Sequence, residues 1–104
     1  MAKYVLAFRG GSMPEGEEAG AKVMQAWEAW FTSLGAAVAD PGNPSSVSRT
    51  IATDGTVGPQ GPASLSGYTI LSADGLDAAV ALAKGCPVLA GGASIEVIET
   101  VDVM

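Results

Sequence analysis

The sequence predicts an α+β fold. It reads as a ferredoxin-like split βαβ arrangement, with an antiparallel sheet of four principal strands and two helices on one sheet face. Three observations lead there. Apolar residues recur at helical spacing in two stretches, Glu17 to Leu34 and about 75–84. Four other stretches are β-branched, aromatic or alternating, as strands are. Their order is β-α-β-(hairpin)-β-α-β over 104 residues, the size of a single domain with one core, so residues 1–104 are read as one domain.

Lys3 to Arg9 is the first strand, with Tyr4, Leu6 and Phe8 on one face and Val5 and Ala7 on the other. Both faces are apolar, as in a central strand covered on both sides. Gly10-Gly11-Ser12-Met13-Pro14 breaks it. The glycine pair lacks the Lys-Ser/Thr of a phosphate loop and the spacing of a dinucleotide fingerprint. In the first helix, Val23, Trp27, Trp30, Phe31 and Leu34 form one stripe, with Lys22, Gln25, Glu28 and Thr32 opposite. Glu17 and Glu18 suit its N-terminal dipole end, and Gly35 stops it.

Ala36 to Asp40 is a second strand, ended by Pro41-Gly42-Asn43-Pro44. Val47 to Thr53 and Thr56-Val57 predict a hairpin turning at Asp54-Gly55, a favoured two-residue turn. Gly58-Pro59-Gln60-Gly61-Pro62 reads as a surface loop. The clearest signals come next. Tyr68 to Leu71 is a strand. Asp74, with Asp77 three residues on, resembles a capping box for the second helix, whose stripe is Leu76, Ala79, Val80 and Ala83. Lys84 falls in its last turn, Gly85 suits the position after its end, and Pro87 forbids continuation. Ser94 to Val103 is the last strand, with Ile95, Val97, Val101 and Val103 on one face. Glu99 interrupts that face, so it reaches solvent or meets a partner.

Two helices cover only one sheet face, yet the strands are apolar on both. The uncovered face then has to bury against something, and a second copy of the chain is the economical answer: the pattern predicts a homodimer.

Composition narrows the function classes. Net charge is −6, and Lys3, Arg9, Lys22, Arg49 and Lys84 are scattered, so no basic patch suits nucleic acid or an anionic membrane. No apolar run approaches the ~20 residues of a membrane span. The first residues enter a strand with no signal-peptide pattern, which gives a cytoplasmic expectation. With no histidine and Cys86 as the single cysteine, no intrachain disulfide, metal site or cofactor is expected. Cys86 follows a helix C-terminus, where the dipole disfavours a thiolate, and reads as structural.

The stretch LSGYTILSADGLDAAVALAKGCPVL, followed by GGASIEV, closely resembles the YCII-related proteins, also called the DGPF domain family. The opening AKYVLAFRGGSMPEG, the helix KVMQAWEAWFTSLG and the turn VADPGNP resemble a bacterial subgroup of that family, so the likeness spans the chain. It implies a dimeric α+β barrel, two ferredoxin-like subunits with facing sheets. Relatives in that superfamily include lactone isomerases, monooxygenases and dehalogenating enzymes that hold small, often aromatic, acids. The enzymatic version of the family uses a His-Asp pair on the first helix. Here Met24 falls at the histidine position and Ser33 at the aspartate position, so the resemblance does not carry that proton transfer over.

Three functional readings follow. The first is a dimeric barrel binding a small aromatic or carboxylate ligand in a pocket lined by Phe8, Trp27, Trp30 and Tyr68, with Arg9 to grip a carboxylate. The second is a cofactor-free isomerase- or lyase-type enzyme acting on small aromatic or lactone acids, with Asp40 or Glu96 as general base and Arg9 or Tyr68 as anion anchor. The third is a structural or interaction module with a filled barrel. Each residue also has a plain alternative: core packing for the tryptophans and Tyr68, turn capping for Asp40, a surface ion pair for Arg9.

Overall fold

The computed structural model describes residues 2–12, 14–61 and 64–103. Met13 of the first glycine loop and Pro62 of the proline-rich loop lie outside the described residues. The elements are β1 (Ala2–Gly10), α1 (Gly16–Leu34), β2 (Val38–Asp40), β3 (Thr50–Ile51), β4 (Val57–Gly58), β5 (Gly67–Ala73), α2 (Leu76–Ala83) and β6 (Ala93–Glu99). The fold is α+β, as predicted. Four strands form an antiparallel sheet in the order β2-β5-β1-β6, and β3 and β4 form a separate two-stranded ladder. Because β5 runs antiparallel to both β1 and β2, those two are parallel with a strand inserted between them. The same holds for β5 and β6 around β1, so both crossovers are split βαβ units.

The register decides which residues share a face. Tyr4, Leu6 and Phe8 lie opposite Leu71, Thr69 and Gly67 on one side and Glu99, Val97 and Ile95 on the other. Both helices pack on this face. Leu6, Phe8 and Leu71 form one core cluster with Trp30, Ala83 and Cys86, while Tyr4, Ala73 and Ala79 form a second. Alanines on α2 let that helix sit close to the sheet, whereas aromatic rings hold α1 further out. The buried Thr69 is the polar member of this layer, and its hydroxyl donates to the Pro41 carbonyl at 2.9 Å. That bond ties the turn after β2 to the sheet. Tyr4, fully buried, donates its hydroxyl to Glu99 at 2.8 Å, so Glu99 meets a partner where it interrupts the apolar face. Hydrogen bonding to that carboxylate raises the tyrosine's pKa.

Several details depart from the sequence pattern. α2 begins after Gly75, not Asp74, and its first turn has no side-chain cap; the Ala79 amide donates to the Gly75 carbonyl. Leu76 is 46% exposed, so the buried stripe is carried by Ala79 and Ala83, with Val80 partly buried. The second strand starts late, because Gly35–Ala37 continues α1 as a 3-10 turn. β6 stops at Glu99, leaving Val101 and Val103 beyond the sheet.

The hairpin turn is also longer than two residues. The Gly55 amide donates to the Ala52 carbonyl and the Ala52 amide to the Thr56 carbonyl, so Thr53 and Asp54 are the central pair and Gly55 follows at φ +89°. This is the three-residue loop with a glycine bulge, and the positive φ moves one position along. Hydrogen bonds from the Thr56 side chain and then its amide hold the Asp54 carboxyl below its ordinary value.

Gly42 is the most constrained position of the edge. It has φ +73°, and a Cβ there would sit 1.7 Å from the Tyr68 carbonyl oxygen. Gly55 has a similar φ but open space around it. Gly55→Ala should therefore cost about 1–2 kcal/mol, the left-handed penalty alone. Gly42→Ala should cost clearly more, because backbone must move as well, and urea unfolding of the two variants measures the difference.

Candidate functional site

The sequence-derived candidates lie in three places. Phe8, Trp27 and Trp30 come together on the helix-covered face. Trp27 is the hub: its ring centroid lies 5.9 Å from Phe8, 5.6 Å from Trp30 and 5.6 Å from Phe31. Trp30 and Phe31 are 5.2 Å apart. These are the tilted and edge-on geometries that aromatic rings prefer. The four rings occupy the space between α1 and the sheet, and the Trp30 indole N–H donates to the Leu82 carbonyl at 3.1 Å.

Arg9 and Tyr68 do not join them. Tyr68 pairs with Ala7 across the β1–β5 ladder, on the opposite sheet face. Arg9 shares that face and forms a 2.7 Å ion pair with Glu96. The five predicted ligand-binding residues thus fall on two sides of the sheet, because side chains alternate along β1: Phe8 points one way and Arg9 the other. The two candidate bases are engaged as well. Glu96 is the partner of Arg9, and Asp40 accepts the Gly42 amide at 2.8 Å, closing the turn after β2.

A concave site does exist, elsewhere. An open groove of about 750 Å³ runs between α1 and the segment joining α2 to β6. Lys22, Ala26, Ala29 and Ser33 form one wall, at i, i+4, i+7 and i+11, which is one face of a helix. Gly85, Pro87 and Gly91 form the other, and Trp30 lies at the floor. The two alanines make the hollow. The segment opposite is shaped by Cys86, which enters the core, and by a 3-10 turn at Pro87–Leu89. The groove is mostly apolar, with the ammonium of Lys22 near one end and the Ser33 hydroxyl near the other. That hydroxyl donates to the Trp30 carbonyl at 2.6 Å, which leaves its oxygen lone pairs as acceptors. Such a lining suits a small flat body with one anionic group. In the sequence, Lys22 reads as part of the solvated face; the signal that marks the groove is the pair of alanines between a lysine and a serine at helical spacing.

Among the described residues, no group of three or more His, Cys, Asp or Glu side chains is placed to hold a metal ion, and no helix is long and apolar enough to cross a membrane. Comparison with protein-family models, with curated proteins and with solved structures found no match.

Cys86 is 3% exposed, and burial pushes its thiol up to about 11 from 9.0. A pKa raised in the folded state means the native protein holds the proton more tightly than the unfolded chain does. The resulting stability is fully present below pH 9 and is lost as pH rises from about 9 through 11, a loss approaching about 3 kcal/mol. At pH 8 a thiol reagent should react slowly with the native protein and rapidly in denaturant. Urea midpoints should fall between pH 9 and pH 11, and Cys86→Ala should flatten that fall.

Proposed function

We propose that this chain works as a homodimeric α+β barrel of the YCII-related kind, a ferredoxin-like subunit pairing sheet to sheet, and binds a small aromatic or carboxylate-bearing molecule. The observation that supports it most is the one-sided sheet. Both helices pack on the Tyr4–Leu6–Phe8 face, and the molecule measures 43 × 40 × 17 Å, room for one sheet and one helix layer in its thin direction. The other face carries Val5, Tyr68 and Ile70, half-buried, and Ile98, exposed, around the buried Ala7, and is rimmed by Lys3, Arg9 and Glu96. An apolar centre with a polar rim is the anatomy of a protein interface. A twofold pairing would set like against like, as an isologous contact requires.

The ligand belongs in the groove beside α1, where Lys22 supplies the charge for a carboxylate and the alanine–proline walls accept a flat ring. Binding is favoured over turnover because the candidate bases are occupied: Asp40 by a backbone amide and Glu96 by Arg9. Ser33 and Met24, at the positions of the family's dyad, provide no general base at neutral pH.

Light scattering of the purified chain should return twice the 10.3 kDa chain mass at micromolar concentration. A thermal-shift panel of aromatic acids, phenols, lactones and aliphatic carboxylates tests the groove. A ligand at 100 times its Kd adds about 2.7 kcal/mol, a rise of roughly 10 °C or more for a domain of this size. Lys22→Ala should reduce the affinity for acids several-fold and leave neutral lactones unaffected. A dimer that responds to no compound selects the filled-barrel interaction module, and acid binding unchanged in Lys22→Ala removes the groove as the site.

A further inference from the structure

We propose that Asp74–Gly75, the link between β5 and α2, is a modification site at which this chain converts aspartate to isoaspartate, while the fold protects the other Asp–Gly step, Asp54–Gly55. The reaction needs neither a ligand nor a second copy of the chain. The backbone nitrogen of the following residue attacks the carbon of the protonated side-chain carboxyl. A nitrogen–carbon bond forms, and the amide proton and the carboxyl hydroxyl leave together as water. The cyclic imide then takes up one water. Opening at one carbonyl restores aspartate; opening at the other routes the main chain through the side-chain carbon.

The sequence narrows the candidates. Asp40 precedes Pro41, whose nitrogen has no proton to release. Asp77 and Asp102 precede Ala78 and Val103, whose side chains shield the attacking nitrogen. Asp54 and Asp74 precede glycine, which has no Cβ to do so.

The structure separates these two. At the hairpin, the Gly55 amide donates to the Ala52 carbonyl at 2.8 Å, and the Asp54 carboxylate accepts the Thr56 amide at 2.9 Å. Attacking nitrogen and target carbon are both engaged, and the bonds from Thr56 favour the ionised carboxylate, the unreactive form. Both bonds have to open before the ring can close, which slows the step by roughly tenfold or more.

Asp74 is exposed, and neither its carboxylate nor the Gly75 amide has a hydrogen bond or ion pair among the described residues. The first hydrogen bond of α2 is accepted by the Gly75 carbonyl, from the Ala79 amide, so the helix engages the far side of this residue and leaves its nitrogen available. Isomerisation would lengthen the main chain by one methylene between Ala73 and Ala79, both buried in the cluster around Tyr4.

The test incubates the full chain in heavy-oxygen water at neutral pH, native and in urea, and maps chymotryptic peptides by mass. Each passage through the imide places one heavy oxygen in the aspartate involved. In the native protein the Asp74 peptide should take up label at least roughly tenfold faster than the Asp54 peptide, and part of it should elute as the isoaspartyl form. In urea the two should label within a few-fold of each other. Gly75→Ala should slow labelling at Asp74 several-fold without disturbing the fold, because Gly75 is extended at φ −174° and a Cβ there meets nothing within 4 Å. A native Asp74 peptide that takes up no label overturns the site. Equal native rates, or an Asp54 peptide that stays slow in urea, overturn the protection of Asp54 by the fold. Both of these measurements use the unaltered chain, so they hold however the variant folds.

Discussion

Trp30 is where the layers of the protein meet. Its ring is buried against Leu6, Phe8 and Leu71 of the sheet and against Ala83 and Cys86 at the end of α2. Its indole N–H donates to the Leu82 carbonyl, a last-turn acceptor that also takes the Gly85 amide. One side chain therefore fixes the distance of α1 from the sheet, the position of the C-terminal end of α2, and the path of the chain through Gly85. A Cβ at Gly85 would press on the same indole at 3.3 Å, so the close approach depends on glycine. The groove beside α1 is a consequence of this arrangement, because the ring holds the helix and the Gly85–Gly91 segment a fixed distance apart while Ala26 and Ala29 leave the space between them unfilled.

The sheet divides its aromatic rings unequally, with Tyr68 on one face and the others on the helix-covered face. The helix-covered face takes Phe8, Trp27, Trp30 and Phe31, and the opposite face carries Val5, Ala7, Tyr68, Ile70 and Ile98. Of these Ala7 is buried, Val5, Tyr68 and Ile70 are half-buried, and Ile98 is exposed. The cross-strand pair Ile51–Val57 of the hairpin is exposed and belongs to neither core cluster. Only 15% of the residues are charged, and the exposed apolar side chains include Val47, Ile51, Val57 and Ile98.

The chemistry available to the chain is narrow. With no histidine, a proton acceptor near neutral pH has to be a carboxylate, and the two candidates are held in a turn and in an ion pair. The thiol of Cys86 is buried and harder to ionise than in water. The groove itself offers one ammonium, one hydroxyl and an apolar hollow beside α1.

The sequence by itself determined the local order of this protein. The Trp27–Trp30–Phe31 stripe, the glycine stop at Gly35, the β-branched run at Tyr68–Leu71 and the Pro87 stop are short-range signals, fixed by residues within a turn or two of each other. They were enough for two helices, the principal strands and the α+β class. Only the tertiary structure decided the rest. Which face of β1 the helices would take set Phe8 with the tryptophans and Arg9 away from them, and so separated the candidate ligand residues. Whether Asp74 or Gly75 would start α2, and which residue of the hairpin turn would take the positive φ, came down to single backbone hydrogen bonds, Ala79 to Gly75 and Gly55 to Ala52, that residue preferences alone leave open. The groove was hidden for the same reason. Its walls lie some sixty residues apart in the chain, and a helix face reads as solvated until the segment that packs beside it is in place.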